Sequence, residues 1–298
     1  MSENLLDSPL LRKIEQFQLV AGRRARSSAK GERRSAARGQ SVEFADYRNY
    51  TAGDDFRYLD WNLFGRLERL YLKVFEEERE LPVRVFLDAS ESMAFGTPSK
   101  FHFARQAAAA IGYVALCGFD RVSVRVFPER VENTAAVAAL RSVRGKKSAL
   151  GFMRDLARLQ PGGAADFNDV LWRGAMETRK TGLAVVLSDF LDPQGYEKGL
   201  NALLGRGFAV SAIQVLSREE VAPGAYGDLR LVDAENGTER EVTFGKYRLA
   251  AYQKMVVNFQ QRLREYCQGR GIHFFAAVSD QPVEGLLLKE FRKARIWA

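Results

Sequence analysis

The chain has 298 residues, 46% of them apolar, so it can bury a sizeable core and its length suits about two domains. Its net charge of +8 is concentrated, with nine basic residues between Arg12 and Arg38 against only Glu15 and Glu32, while the remainder is close to neutral. No run approaches the ~18 apolar residues of a membrane span, and the N-terminus lacks the basic-then-apolar layout of a secretory signal.

Cys117 and Cys267 lie far apart with no metal-ligand spacing around them, which points to buried thiols in a reducing compartment, the cytosol. The basic arm could meet nucleic acid, an anionic membrane or an acidic protein face, or stay a solvated connector. Past Phe17 it has no interleaved aromatics for base stacking, which argues against nucleic acid.

In chain order, apolar residues from Leu10 to Val20 recur at near-helical spacing and predict a short amphipathic helix from Pro9 to about Ala25. Residues 27–39 read as a loop or arm, and Val42 to Glu80 as an aromatic, charged segment of poor periodicity closing in the strand-like Leu70–Phe75. An α/β pattern follows. Strands are predicted at Val83–Leu87, Arg121–Phe127, Leu183–Leu187, Phe208–Leu216 and His273–Val278, and an antiparallel return at Val131–Glu132. Helices are predicted at Lys100–Cys117, Ser148–Leu159, Asn168–Arg179, Gly195–Leu204, Tyr247–Gly269 and Val283–Arg292. A hairpin, Leu229–Val232 with Glu239–Phe244, turns at Asn236-Gly237.

Apolar strands separated by helices predict a Rossmann-like, doubly wound, mostly parallel sheet preceded by an irregular N-terminal segment. Ligands of such sheets bind beyond the carboxyl ends of strands, where strand order reverses. Two strands end there in an acid, Asp88 and Asp189. After the first, Asp88-Ala89-Ser90-Glu91-Ser92 places a carboxylate and two hydroxyls at i, i+2 and i+4, where alternate residues of a loop can turn toward one point. Hard oxygens of this kind suit Mg²⁺ or Mn²⁺, and the ion in turn can take a partner's carboxylate. Asp88, Ser90, Ser92 and Asp189 are therefore the candidate metal ligands. Asp88, Ser90, Glu91, Ser92 and Asp166 are the candidate partner-binding surface.

This pattern resembles the metal-ion-dependent adhesion site of von Willebrand factor A domains. Upstream, Gly39, Glu43-Phe44, Tyr47-Arg48-Asn49-Tyr50, Gly53-Asp54-Asp55-Phe56-Arg57, Asp60-Trp61, Arg66, Leu70-Tyr71-Leu72-Lys73 and Glu76 to Glu78 are similar to the signature of the bacterial DUF58 proteins. The resemblance implies three parts: a basic arm at residues 1–38, the signature segment at 39–80, and an A-like α/β domain at 81–298. It also implies a cytoplasmic or membrane-associated adaptor or chaperone-like partner of a MoxR-type AAA+ ATPase and its client, with no catalytic activity firmly assigned. One position departs from the A-domain pattern. Where that pattern has a threonine in Gly-Gly-x-Thr-Asp, this chain has Gly162-Gly163-Ala164-Ala165-Asp166, so Ala165 supplies no hydroxyl. Either water or Asp166 fills the gap at ~10-fold or greater loss of affinity, or the loop serves as a metal-free protein surface.

Other chemistries fit less well. His102 and His273 read as structural, and without G-x-S-x-G a serine hydrolase lacks its parts. Arg144-Gly145-Lys146-Lys147-Ser148 mimics only the end of a P-loop. A phosphatase using Asp88 would want a second acid where Ser90 stands. Asp54, Asp55, Arg57 and Asp60 form either a functional surface or, as favoured here, a scaffold in which Arg48, Arg57 and Arg66 pair with the acids while Tyr47, Tyr50, Phe56 and Trp61 anchor the segment. The expected function is a non-enzymatic interaction module. A divalent-metal-dependent hydrolase at the same loop, and tethering through the basic arm, are the alternatives.

Overall fold

The structure, a computed structural model, describes residues 5–20, 42–51, 54–77, 80–164, 166–178, 180–224, 227–232 and 238–297. Most of the basic arm, Ala165 and the Asn236-Gly237 turn lie outside the described residues. Two units divide the chain: Gly31–Glu80, and Met1–Lys30 together with Leu81–Ala298.

The first helix, α1 (Ser8–Ile14), is shorter than its periodicity predicts. Asp7 caps it, its Oδ1 accepting the Leu10 N–H at 2.9 Å, and Leu10 and Ile14 are buried. Beyond Glu15 the chain changes period. Phe17 stacks on Trp297 (5.6 Å between centroids), and Leu19 bridges Trp297 as a strand would, with Val20 N–H donating to Ile296 O at 2.8 Å.

In the smaller unit, β1 (Val42–Asn49) pairs antiparallel with β2 (Tyr71–Glu77), and α2 (Trp61–Leu67) lies between them in sequence. The acids here serve the backbone. Asp54 accepts from the Thr51 N–H (2.9 Å) and hydroxyl (2.7 Å), while Asp60 caps α2 by accepting from Asn62 and Leu63 and takes the Tyr47 hydroxyl at 2.9 Å. Of the expected arginine scaffold, one pair is present and one member lies outside the described residues. Arg57 pairs with Asp55 on the surface, Arg66 makes no ion pair among the described residues, and the side chain of Arg48 lies outside them. Phe56 and Trp61, expected as anchors, are exposed by 60% and 62%; Phe56 stacks on Tyr50, and Trp61 meets Phe64 edge-on.

The larger unit runs β3 (Pro82–Asp88), α3 (Lys100–Cys117), β4 (Arg121–Phe127), α4 (Thr134–Leu140), β5 (Val143–Arg144), α5 (Ala149–Ala157), α6 (Phe167–Met176), β6 (Leu183–Ser188), α7 (Glu197–Gly205), β7 (Ala209–Leu216), α8 (Arg218–Val221), β8 (Gly227–Val232), β9 (Glu239–Phe244), α9 (Lys246–Gln268), β10 (His273–Val278) and a π-helical segment at Gly285–Phe291. The sheet order is β10-β7-β6-β3-β4-β5, parallel except for β5, and β8 pairs with β9 as a separate hairpin. This is a doubly wound α/β sheet. The expected antiparallel return at Val131–Glu132 is instead a 3₁₀ turn leading into α4, because Ala136 and Leu140, four apart, bury as a helical face. The antiparallel edge comes later, from β5.

Both faces of the sheet are covered. Val83, Val85 and Leu87 pack with α3, α4 and α5, and α3 is so alanine-rich that Ala107 to Ala110 all reach zero exposure. Phe86 packs on the opposite face with α6, α7 and the end of α9. There a Cβ on Gly174 of α6 would sit 2.4 Å from the Phe86 ring, so only glycine allows that close approach. No helix among the described residues is long and apolar enough to cross a membrane. From β3 the chain moves outward to β4, and from β6 it moves the other way to β7. The order therefore reverses between β3 and β6, the two strands that lead into Asp88 and Asp189.

Candidate functional site

β3 ends at Asp88, which is buried. Its Oδ1 accepts the Ser90 N–H at 2.9 Å and its Oδ2 the Ser188 hydroxyl at 2.6 Å, so the loop after β3 and the end of β6 are tied through one carboxylate. The Ser90 and Ser92 hydroxyls lie 3.1 Å apart, and Ser92 donates to Asp189 Oδ2 at 3.1 Å. The structure thus brings Asp88, Ser90, Ser92 and Asp189 into one hydrogen-bonded cluster. Burial, and next the charge of Asp189, push the Asp88 carboxyl up to about 6.

Asp189 is held from several sides. Its Oδ1 accepts the Leu191 N–H at 3.0 Å, and its backbone carbonyl accepts from Gln214 Nε2 at 3.0 Å. The next residue, Phe190, sits at φ 61°, a left-handed conformation costly for a bulky side chain, and its N–H donates to Ser188 Oγ at 3.0 Å.

The strongest partner of Asp189 is Lys100, the first residue of α3 and wholly buried. Its Nζ donates to Asp189 Oδ2 at 2.7 Å and to Glu220 Oε1 at 2.6 Å. Burial works against the ammonium charge, but Asp189 and Glu220 outweigh it and hold the Lys100 pKa above its ordinary value. Glu220 is fixed in turn by a capping box with Ser217 at the start of α8. Lys100, Ser188, Gln214 and Glu220 were not among the sequence candidates. For Lys100 a signal existed: it shares one helical stripe with Ala104, Ala107, Ala108 and Ile111, all buried.

The other candidates stand apart. Glu91 is exposed, yet its backbone joins the Gly162-Gly163 loop: Glu91 N–H donates to Gly163 O at 2.8 Å, and Gly162 N–H to Ala89 O at 2.7 Å. Asp166 is exposed and caps α6, accepting the Asp169 N–H at 2.8 Å. The glycine loop is therefore laced to the loop after β3, while Ala165 itself lies outside the described residues.

As a cation site the donor set is chemically apt. Two carboxylates and two hydroxyls are hard oxygens, and Asp88, Asp189 and Glu220 outnumber the single cation Lys100. Asp88, Ser90 and Ser92 would be the direct ligands. Asp189, with one oxygen on Lys100, would act mainly through Ser92 or water.

Fold and site together define a doubly wound α/β protein with a polar, mostly buried cluster at its topological switch point. The chain belongs to the DUF58 family, described as a protein of unknown function, which it matches over residues 46–262. It is 32% identical over 211 residues to the uncharacterized proteins Rv1480 of Mycobacterium tuberculosis and Mb1516 of Mycobacterium bovis, which cover 68% of this chain. The chain spans 64% of the length of those curated relatives. Among solved structures it is similar to the conserved hypothetical protein BatB from Bacteroides thetaiotaomicron, at TM-score 0.41 and 14% identity, covering 72% of this chain and 98% of that one.

Proposed function

We propose that this protein is a non-enzymatic interaction module, with a von Willebrand factor A-like domain whose Asp88–Ser92 loop holds Mg²⁺ or Mn²⁺ and receives a partner's carboxylate. The observation that carries this reading is the convergence of Asp88, Ser90, Ser92 and Asp189 at the switch point. By the family resemblance, the partner is a MoxR-type AAA+ ATPase or its client. The test is Mn²⁺ titration by calorimetry, followed by Mg²⁺-dependent capture of the co-expressed ATPase. Asp88→Ala should weaken Mn²⁺ binding at least ~10-fold and abolish capture, since it removes the one anionic direct ligand. Ala165→Thr should tighten Mn²⁺. Identical isotherms for wild type and Asp88→Ala would remove the loop from consideration as a cation site.

A second reading is favoured by Lys100, whose ammonium already bridges Asp189 and Glu220. Here Lys100 supplies the positive charge and the loop binds its partner without metal. Partner capture that is unchanged in EDTA would favour this reading over the first.

A further inference from the structure

Each of the two loops that build the switch-point cluster turns one large apolar side chain inward and another outward. In the loop after β3, Met93 is fully buried and Phe95 is 51% exposed; after β6, Phe190 is buried and Leu191 is 48% exposed. Met93 and Phe190 already anchor the loops in the core, so Phe95 and Leu191 are not needed for that. Both are nevertheless held in register with the cluster. Phe95 N–H donates to Ser92 O at 3.2 Å, and Phe95 O accepts the Lys100 N–H at 3.1 Å. Leu191 N–H donates to Asp189 Oδ1 at 3.0 Å, and Asp189 Oδ2 takes the Ser92 hydroxyl at 3.1 Å. The two outward residues are thus attached by backbone to the two members of one side-chain hydrogen bond.

A single exposed leucine is ordinary on a protein surface. Two large apolar residues on adjacent loops, outside a polar cluster, have the make-up of an interface centre. β3 and β6 are neighbours, so their loops leave the sheet ~4.8 Å apart. Of the four clustered residues only Ser92 is half-buried; Asp88, Ser90 and Asp189 are buried. An incoming group therefore meets Ser92 first, with an aromatic ring on one loop and a leucine on the other. The charges around this window are mainly acidic: exposed Glu91, Glu132, Asp166 and Glu219 outnumber Arg130 and Arg218 on the surrounding loops. Arg130 is moreover tied to Glu132 at 3.2 Å and to Pro161 O at 2.6 Å.

We propose that the partner segment received at this loop is extended and carries a single carboxylate, with apolar side chains two residues to either side that pack on Phe95 and Leu191. The carboxylate goes to the cation of the reading above, on which this rests; the apolar flanks are what the rim adds. In an extended chain residues i−2, i and i+2 share one face, so one side chain can enter the window while its neighbours lie on the two loops. The acidic rim selects against further carboxylates, since like charges on the surrounding loops repel them. Apolar flanks meet no such penalty, and they take from water the exposed halves of Phe95 and Leu191. A cationic segment would suit the rim, but not a loop that holds a divalent ion. A second copy of this chain would set two acidic rims against each other.

The test is calorimetric and uses the full chain. Mn²⁺ is titrated first, alone, which examines the cation reading by itself. The peptide Leu-Ser-Asp-Ser-Leu, acetylated and amidated so that aspartate is its one charge, is then titrated with Mg²⁺ present. Saturable binding is expected, at least ~10-fold weaker for Ser-Ser-Asp-Ser-Ser and for Asp-Ser-Asp-Ser-Asp. Phe95→Ser and Leu191→Ser should each weaken Leu-Ser-Asp-Ser-Leu about 5-fold. Leu150→Ser should not, since Leu150 is exposed on α5, which follows β5 beside the start of β4, at the far end of the sheet. The peptides are compared on the unaltered chain, so their order stands even where a variant fails to fold. Mn²⁺ binding with equal affinity for the leucine and serine peptides would overturn the proposal and leave the cation reading in place. A leucine preference that is lost in Phe95→Ser, without any Mn²⁺ binding, would keep the proposed flanks and remove the cation. No saturable binding up to millimolar Leu-Ser-Asp-Ser-Leu would overturn the proposal. Tighter binding of Leu-Ser-Lys-Ser-Leu would give the window to a cationic segment, and self-association lost in Phe95→Ser would give it to a second copy; either result would equally overturn it.

Discussion

Two groups of carboxylates in this protein are built from the same residue types and meet opposite fates. Asp54, Asp55 and Asp60 are neighbours in sequence, and each is satisfied close to home, by backbone N–H groups two or three residues away or, for Asp54, three residues before it. Asp88 and Asp189 are about a hundred residues apart in sequence and meet because their strands are adjacent in a parallel sheet. Local acids become caps, which the chain satisfies cheaply with its own amides. Acids delivered by strand ends meet each other instead, away from water, and the fold must supply a countercharge. Lys100 is that countercharge, which is why the second group has the character of a site and the first that of a scaffold.

The difference is tested most severely at Lys100. Lys100→Met keeps the length and apolar stem but leaves Asp189 buried without its ammonium, a loss of about 3–5 kcal/mol in urea denaturation. Lys100→Met combined with Asp189→Asn should recover much of this, because the stranded charge is gone. A single-variant loss under about 1 kcal/mol would mean the ammonium is not balancing a buried acid.

Asp88→Asn should act in the opposite direction. The Asp88 carboxyl is pushed up to about 6 from an ordinary 3.8, by burial and then by Asp189. A carboxyl whose folded pKa is raised favours the fold while protonated, and that contribution is lost as pH rises from about 4 through 6. With EDTA present, the asparagine variant should match wild type at pH 4 and exceed it at pH 8 by up to about 3 kcal/mol. Urea midpoints at the two values check this, and equal midpoints at pH 8 would deny that burial and Asp189 disfavour the Asp88 charge. Mg²⁺ should shrink the advantage of the variant if the cation reading holds.

The same contrast explains what could be read in the sequence. The buried strands and α3 were legible because continuous apolar runs and an alanine-rich helix have few other uses, and Asp88 and Asp189 were legible as acids closing such strands. Gln214 and Glu220 were not, because each acquires its role only through sheet register and helix packing, and the stripe that marks Lys100 as buried does not name its partners. In the smaller unit β1 and α2 escaped notice. Their residues mix apolar, aromatic and charged types without a clean period, and β1 is defined by its pairing with a strand more than twenty residues later. Of the arginine pairs expected there, Arg57 with Asp55 is present, while Asp54 and Asp60 also take nearby backbone N–H groups, because short acids readily reach their own backbone.

At the scaffold end the effects should be smaller and local. Asp60→Ala removes the cap of α2 and the acceptor of the Tyr47 hydroxyl, about 1–2 kcal/mol for the helix start. Hydrogen exchange at the Asn62 and Leu63 amides should speed up roughly 5- to 30-fold, while the amides of β3 and β6 keep their protection. Uniform acceleration across both units would show that the cap supports more than its own helix.

Arg57→Ala sits at the bottom of the scale and separates a bond that is present from a bond that matters. Arg57 meets Asp55 through Nε and Nη2, the latter at 2.6 Å, but the two side chains are 82% and 41% exposed. Water competes for both partners, and holding two long side chains in one geometry offsets most of the attraction. The Arg57 side chain, and after it the Arg57 N–H, hold the Asp55 carboxyl below its ordinary pKa. Removing the side chain should therefore raise the Asp55 pKa only part of the way, because the backbone bond remains, and carboxyl NMR titration would follow it. The melting temperature should not move beyond experimental scatter. A drop of several degrees would place this pair among the supports of the fold, and the distinction between acids that cap and acids that converge would lose its cleanest example.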